Sequence, residues 1–243
     1  MDKTLKGIVI KSKDYGEADK LITLLTFEEG RVVVKARSVK KARAKLKFAT
    51  EPFCFGEFEI SNSKGIPILT GCEMIELFYD LRSNIEKYYI ASALLEFIDN
   101  VTSEQQDCSQ EVLFLARALE QIANYTGEIQ PLAVKTIYQA LESSGYGFSN
   151  FTCAVCGCKI ENNDYFNAEM GQFFCEGCHA ENVELKIKMF KGLELIVETP
   201  IDKLPEIKIN NDDYKLILKF LWRYIQYKFD FSNLSLNQYI KML

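Results

Sequence analysis

Four of the eight cysteines in this 243-residue chain form two Cys-x-x-Cys pairs, Cys153/Cys156 and Cys175/Cys178, with 18 residues between them. Each pair can offer two thiolates to one tetrahedral centre from a single tight turn, and Gly157 and Gly177 are placed to relieve the turn backbone. Lys159–Phe174 is long enough to run out and return as a hairpin. That spacing predicts a zinc ribbon with one structural Zn2+ on Cys153, Cys156, Cys175 and Cys178. The competing chemistry is a redox pair. Disulfides are disfavoured because nothing at the N-terminus resembles a secretory signal, so the chain is expected in the cytoplasm, where thiols stay reduced.

A catalytic zinc would need an open coordination position, usually with histidine or carboxylate beside the thiolates. The single histidine, His179, stands next to Cys178 and reads His-x-Glu with Glu181. In zinc deaminases a Cys-x-x-Cys follows that fragment, and here none does. His179 is therefore read as a solvated residue or one beside the ligands. Cys158 is a substitute ligand only in a slipped register. Cys54, Cys72 and Cys108 sit in apolar or helical settings that suit buried, inert thiols. The chain has no Gly-x-Gly-x-x-Gly, no phosphate-loop Gly-Lys-Ser/Thr and no Gly-x-Ser-x-Gly, so no catalytic residue is assigned and a non-enzymatic role is expected.

The second chemical signal is charge. Residues 1–50 carry 13 Lys/Arg against 6 Asp/Glu, so with a net charge of −5 overall the remaining residues carry −12. The positive charge concentrates in Lys35, Arg37, Lys40, Lys41, Arg43, Lys45 and Lys47, seven basic residues in thirteen with no acidic one. Such a run is often only a solvated face. On a small barrel, however, a basic loop makes a groove that tracks a nucleic-acid backbone. Tyr15, Phe48 and Phe53 are the aromatic candidates for base stacking, each also suited to a core.

The elements that must position these groups follow from periodicity. Leu5–Lys11, Lys20–Phe27, Arg31–Arg37, Phe53–Ser61, Ile66–Thr70 and Cys72–Phe78 read as six short strands, with turns at Glu29-Gly30 and Asn62–Gly65, which predicts a small closed barrel. From Ser83 the period becomes helical. Ser83 and Glu86 form a capping-box pattern, Ser109–Asn124 repeats apolar residues at helical spacing, and Pro131 suits the first turn of a helix stopping near Gly145. Asp212–Phe229 and a last helix opened by Ser235 and Gln238 close the chain. No apolar stretch is long enough for a membrane span.

The order of parts resembles the bacterial RecO proteins of recombinational DNA repair. The matching residues are Gly7-Ile8-Val9, Gly30-Arg31, Ala36-Arg37-Ser38, Leu46 and Phe48, then Leu141–Gly145 running into Cys153-x-x-Cys156-Gly157. The resemblance implies an α+β fold with an N-terminal OB-type barrel (1–79), a helical domain (80–150), a zinc ribbon (151–181) and a C-terminal segment (182–243) packing with the helical domain. It further implies binding of single- and double-stranded DNA, strand annealing, and cooperation with RecR and the single-strand-binding protein in loading RecA, near the nucleoid. Basic residues beyond the barrel that could receive the acidic tail of a single-strand-binding protein include Arg82, Lys87, Arg117 and Lys135. The alternative from another class is a zinc-ribbon protein–protein scaffold of transcription or translation that does not touch DNA.

Overall fold

The computed structural model describes residues 2–61, 65–148, 151–162, 164–178, 185–186 and 190–243. The chain divides into two compact units, residues 1–91 with 95–124, and residues 92–94 with 125–243.

In the first unit, β1 (Lys3–Tyr15), β2 (Asp19–Thr26), β3 (Gly30–Ala36), β4 (Phe55–Ser61) and β5 (Ile68–Glu76) close a barrel in the order β1-β2-β3-β5-β4. Five strands form where six segments are expected. Ile66–Thr70 and Cys72–Phe78 are halves of β5, because Gly71 pairs with Glu59 and continues the ladder instead of turning the chain. Inward positions Leu5, Val9, Ile22, Leu24, Val34, Phe58, Ile60 and Leu69 make the barrel core. Each such side chain stabilises the fold by about 1.5–3 kcal/mol when taken fully from water. Ile8 and Leu25 point the other way yet are equally buried. The outer face of β1 and β2 packs against α3 (Ser109–Asn124), which explains why β1 reads as a continuous apolar run.

The polar stretch Thr102–Asp107 straps these helices to the β2–β3 turn. The Arg31 N–H donates to Ser103, the Gln105 N–H to Glu29 and the Cys108 N–H to Phe27. Gly30 (φ +61°) lies so close to the Ser103 carbonyl that a Cβ would overlap it, so this turn requires glycine. The expected capping box is corrected by one residue. Asn84, not Ser83, caps α2 (Ile85–Val101), its side chain accepting from the Glu86 and Lys87 N–H groups. A short α1 (Asp80–Ser83) precedes it.

In the second unit, α4 (Ile129–Ser143) carries Pro131 in its first turn and stops as expected. Gly145 adopts φ +80°, with Gly145 N–H donating to Glu142 and Tyr146 N–H to Leu141. That is the double bond of a glycine C-cap. Next come the small sheet β7-β6-β8, from β6 (Tyr165–Asn167), β7 (Gln172–Phe174) and β8 (Leu185–Lys186), and then α5 (Phe190–Glu198), α6 (Asn211–Phe229) and α7 (Leu234–Met242). The α5 helix is not anticipated from the sequence. The last helix opens at Asn233 rather than Ser235. Asn233 is fully buried; its Oδ1 accepts from the Leu236 N–H, its Nδ2 donates to the Ala93 carbonyl and its own carbonyl accepts from the Trp222 indole. Asn233→Ala removes the cap and the second hydrogen bond to the Ala93 carbonyl, which stays paired within α2, so a loss of about 1–3 kcal/mol is expected in urea unfolding.

Candidate metal centre and nucleic-acid interface

The side chains that could hold a metal come together from two loops. After Phe151 the chain makes a tight turn in which the Cys153 N–H donates to the Cys158 carbonyl and the Gly157 N–H to the Cys153 carbonyl, with Gly157 at φ +72°. Gly157 therefore carries the strained step and Gly177 does not, since Gly177 has an ordinary φ. Beyond the β6–β7 hairpin the second turn is closed by the Cys178 N–H bonding to the Cys175 carbonyl. The two turns are joined by the Ala154 N–H donating to Phe173 and by a parallel bridge between Cys153 and Phe173.

The result is four sulfurs, of Cys153, Cys156, Cys175 and Cys178, all within 4.8 Å of one another. A tetrahedral zinc with bonds of about 2.3 Å has sulfur–sulfur edges of about 3.8 Å. The Cys156 and Cys175 Sγ atoms are 3.8 Å apart. Residue type, count and spacing thus fit a closed tetrahedral metal site with no open position. Burial pushes the Cys153 thiol up, but backbone N–H groups of Cys156, Cys175 and Val155 outweigh it and bring it down to about 6, which favours the thiolate a metal needs. Cys158 is exposed and outside the foursome, its thiol hydrogen-bonded to the sulfurs of Cys156 and Cys175. His179 and Glu181 lie outside the described residues, as does most of the Asn62–Gly65 turn.

Sequence reasoning misses what holds these turns. Asp164 is buried; its Oδ2 accepts from the Glu161 N–H at 2.7 Å and its Oδ1 from the Glu176 N–H at 3.0 Å, so one carboxylate ties the hairpin entry to the residue after Cys175. The only signal is a polar Asn-Asn-Asp run at a turn. Below it, Phe148 packs edge-on against Tyr138, Phe151, Phe166, Phe173, Phe220 and Tyr224, which makes the ribbon's core continuous with α4 and α6. Replacing Asp164 by Ala frees both N–H groups and is expected to weaken metal retention by roughly tenfold or more, measured by competition with a chromogenic chelator.

The basic run lies between β3 and β4 as a chain of turns, with Ser38 at φ +56° and short-range bonds from Lys41 to Ser38, Ala44 to Lys41 and Lys47 to Ala44. Val39 is buried, and Leu46 and Phe48 pack against the barrel core, so the turns are pinned from inside. Arg37, Lys40, Lys41, Arg43, Lys45 and Lys47 are all exposed, and Lys35 is half-buried.

The seven cations are not equivalent. Asp19 pairs with Lys35 at 3.0 Å and accepts from the Ser38 N–H, and these bonds, the Ser38 one first, lower its pKa. Asp14 pairs with Lys40, and that hydrogen bond lowers its pKa. Among the described residues, Arg37, Lys41, Arg43, Lys45 and Lys47 have no ion-pair partner, although Arg37 lies within electrostatic reach of Asp19. No spacing rule identifies Asp14 and Asp19, since they reach the loop only through the pairing of β1, β2 and β3.

Of the four other basic residues singled out, three serve the fold. Arg82 donates to the Pro52 carbonyl, Lys87 to that of Ala123, and buried Lys135 to those of Val197 and Thr199. Arg117 lines a groove of about 470 Å³ beside Ile75, Phe78, Tyr79 and Leu113, with the carboxylates of Glu76, Asp80 and Glu120 on the same walls. Cys54 and Cys108 are buried, while Cys72 is only half-buried and shares a thiol hydrogen bond with Cys54. Among the described residues no helix is long and apolar enough to cross a membrane.

A closed five-stranded barrel bearing a basic loop, followed by helices and a four-cysteine module before the last helices, defines a barrel-and-ribbon protein. The family model Recombination protein O N terminal matches residues 1–78, and Recombination protein O C terminal matches residues 82–235. The chain belongs to the RecO family. It is 26% identical over 223 residues to the DNA repair protein RecO of Clostridium novyi, covering 90% of this chain and 86% of that one. It is 25% identical over 243 residues to that of Acetivibrio thermocellus, covering 98% and 95%. With that of Dehalococcoides mccartyi it shares 28% over 215 residues, covering 87% and 84%. Family and relatives support a role in recombinational DNA repair.

Proposed function

We propose that this chain is a non-enzymatic DNA-binding mediator. Its barrel (1–79) would hold single- and double-stranded DNA through the loop Lys35–Lys47, and its ribbon (151–181) would be held by one structural Zn2+. The observation that carries this reading is a loop, pinned to a closed barrel, with five cations that have no ion-pair partner among the described residues. Phosphate contacts need free, exposed cations and confer affinity without sequence preference. A protein that neutralises two complementary strands on such a loop lowers their mutual repulsion, so annealing follows from the same contacts.

RecR, the single-strand-binding protein and, indirectly, RecA are the partners this role implies. Of the basic residues that could receive the acidic tail of a single-strand-binding protein, Arg82, Lys87 and Lys135 are occupied by backbone carbonyls and Arg117 is flanked by carboxylates, so these four are poorly placed to bind it. No catalytic step is assigned to any residue.

Titration of labelled single-stranded DNA by fluorescence anisotropy at several salt concentrations tests the reading. If each of the five free cations meets one phosphate, log affinity falls against log salt with a slope of about −3.5. No binding at moderate salt would leave the zinc-ribbon scaffold as the better description.

A further inference from the structure

The basic loop is continuous with the outer face of β1, β2 and β3. The core takes Ile22, Leu24 and Val34, so by strand alternation Lys13, Tyr15, Leu21, Thr23, Val33 and Lys35 share the opposite, outward face. Lys13, Leu21 and Lys35 lie in one register row, and Tyr15 ends β1 opposite Asp19. Of the three aromatic candidates, Phe53 is fully buried and Phe48 packs on the core, whereas Tyr15 stands 45% exposed. Lys35 Nζ lies 4.6 Å from the centroid of the Tyr15 ring and is held there by Asp19. One face of the ring is covered by a fixed cation, so the exposed area is the other face and the edge. Exposed Lys13 has no ion-pair partner among the described residues.

From this arrangement we propose that Tyr15 is a stacking platform for one unpaired nucleobase, between phosphates held by the basic loop on one side and Lys13 on the other. It gives the barrel a preference for single over double strands. The proposal rests on the loop's reading as a DNA contact and adds what the loop lacks. Cations hold phosphates of either form, whereas an exposed ring can stack only on a base that has left its helix. Lys35, neutralised by Asp19, contributes to this site by orienting the ring rather than by adding net charge.

The test uses the full chain with a labelled oligo-dT and a duplex of equal length, over a range of salt concentrations. Tyr15→Ala is expected to weaken oligo-dT binding roughly 5- to 100-fold, the range for loss of one base–aromatic stack. Duplex affinity should stay within about twofold, and the salt slope should be unchanged because no phosphate contact is lost. Tyr15→Phe keeps the ring and should bind oligo-dT as the parent does, which separates stacking from a packing defect. Oligo-dT affinity within about twofold of the parent, or equal losses on both DNA forms, overturns the proposal and leaves the loop's role standing. Absence of salt-dependent binding in the parent protein overturns both.

Discussion

Cys175→Ser is expected to abolish stoichiometric metal binding and to make residues 151–178 the first site of proteolysis. The four sulfurs form a complete tetrahedral donor set, so losing one leaves three thiolates and an open position. Structural zinc of this kind contributes on the order of 10–16 kcal/mol of apparent binding free energy, and little else local can replace it. The two strands of the hairpin have three residues each, below what pairs stably in water.

The aromatic core qualifies the effect. Phe151, Phe166 and Phe173 pack against Phe190, Phe220 and Tyr224 as well as one another, so the apolar side of the module stays partly anchored to the helices. The turns around Cys156 and Cys178 should therefore open first, with α4 and α6 holding until higher denaturant. Limited proteolysis read by mass spectrometry, with metal content measured on the same sample, checks this. A metal-free protein whose residues 151–178 resist protease as well as the parent would refute it.

Reversal of Lys41, Arg43 and Lys45 to Glu is expected to weaken DNA binding by orders of magnitude at low salt. These three belong to the five cations without carboxylate partners among the described residues, whereas Lys35 and Lys40 are already paired with Asp19 and Asp14. Removing three phosphate contacts should flatten the salt slope for single strands from about −3.5 to about −1.4. The weakening should be similar for every base sequence, because phosphate contacts carry no sequence information. Annealing should fall in step. The fold should persist, since the loop is pinned by Val39, Leu46 and Phe48 and exposed charge changes typically alter stability by less than about 0.5 kcal/mol. A reversed variant with unchanged affinity and slope would place the DNA contact elsewhere.

Much of this molecule is readable from short-range pattern. Two Cys-x-x-Cys turns specify a four-sulfur cluster that could hold a metal, because each turn fixes its own pair of sulfurs and a tetrahedral ion would tolerate variation in the hairpin between them. Ser109–Asn124 is assigned correctly because its apolar residues repeat over more than four turns. The stop at Gly145 follows from the one residue that enters a left-handed C-cap without strain. Errors fall where a local signal has a rival beside it. Ser83 and Asn84 are both good caps, and the chain uses the one whose carboxamide reaches two N–H groups. Gly71 reads as a strand break, yet the Glu59 partner across the ladder keeps it in the strand.

The sequence by itself determined the four cysteines that come together, the barrel-then-helix order and the location of the positive charge, since each depends on residue type and spacing within a few turns of chain. Tertiary structure alone decided which cations are free, because Asp14 and Asp19 meet Lys40 and Lys35 only when β1, β2 and β3 pair side by side. It likewise decided that Tyr15 faces water while Phe53 is core, that Asp164 braces the metal turns, and that Phe148 joins ribbon to helices. Charge pairing, exposure and aromatic packing are relations between residues far apart in the chain, and no periodicity along it records them.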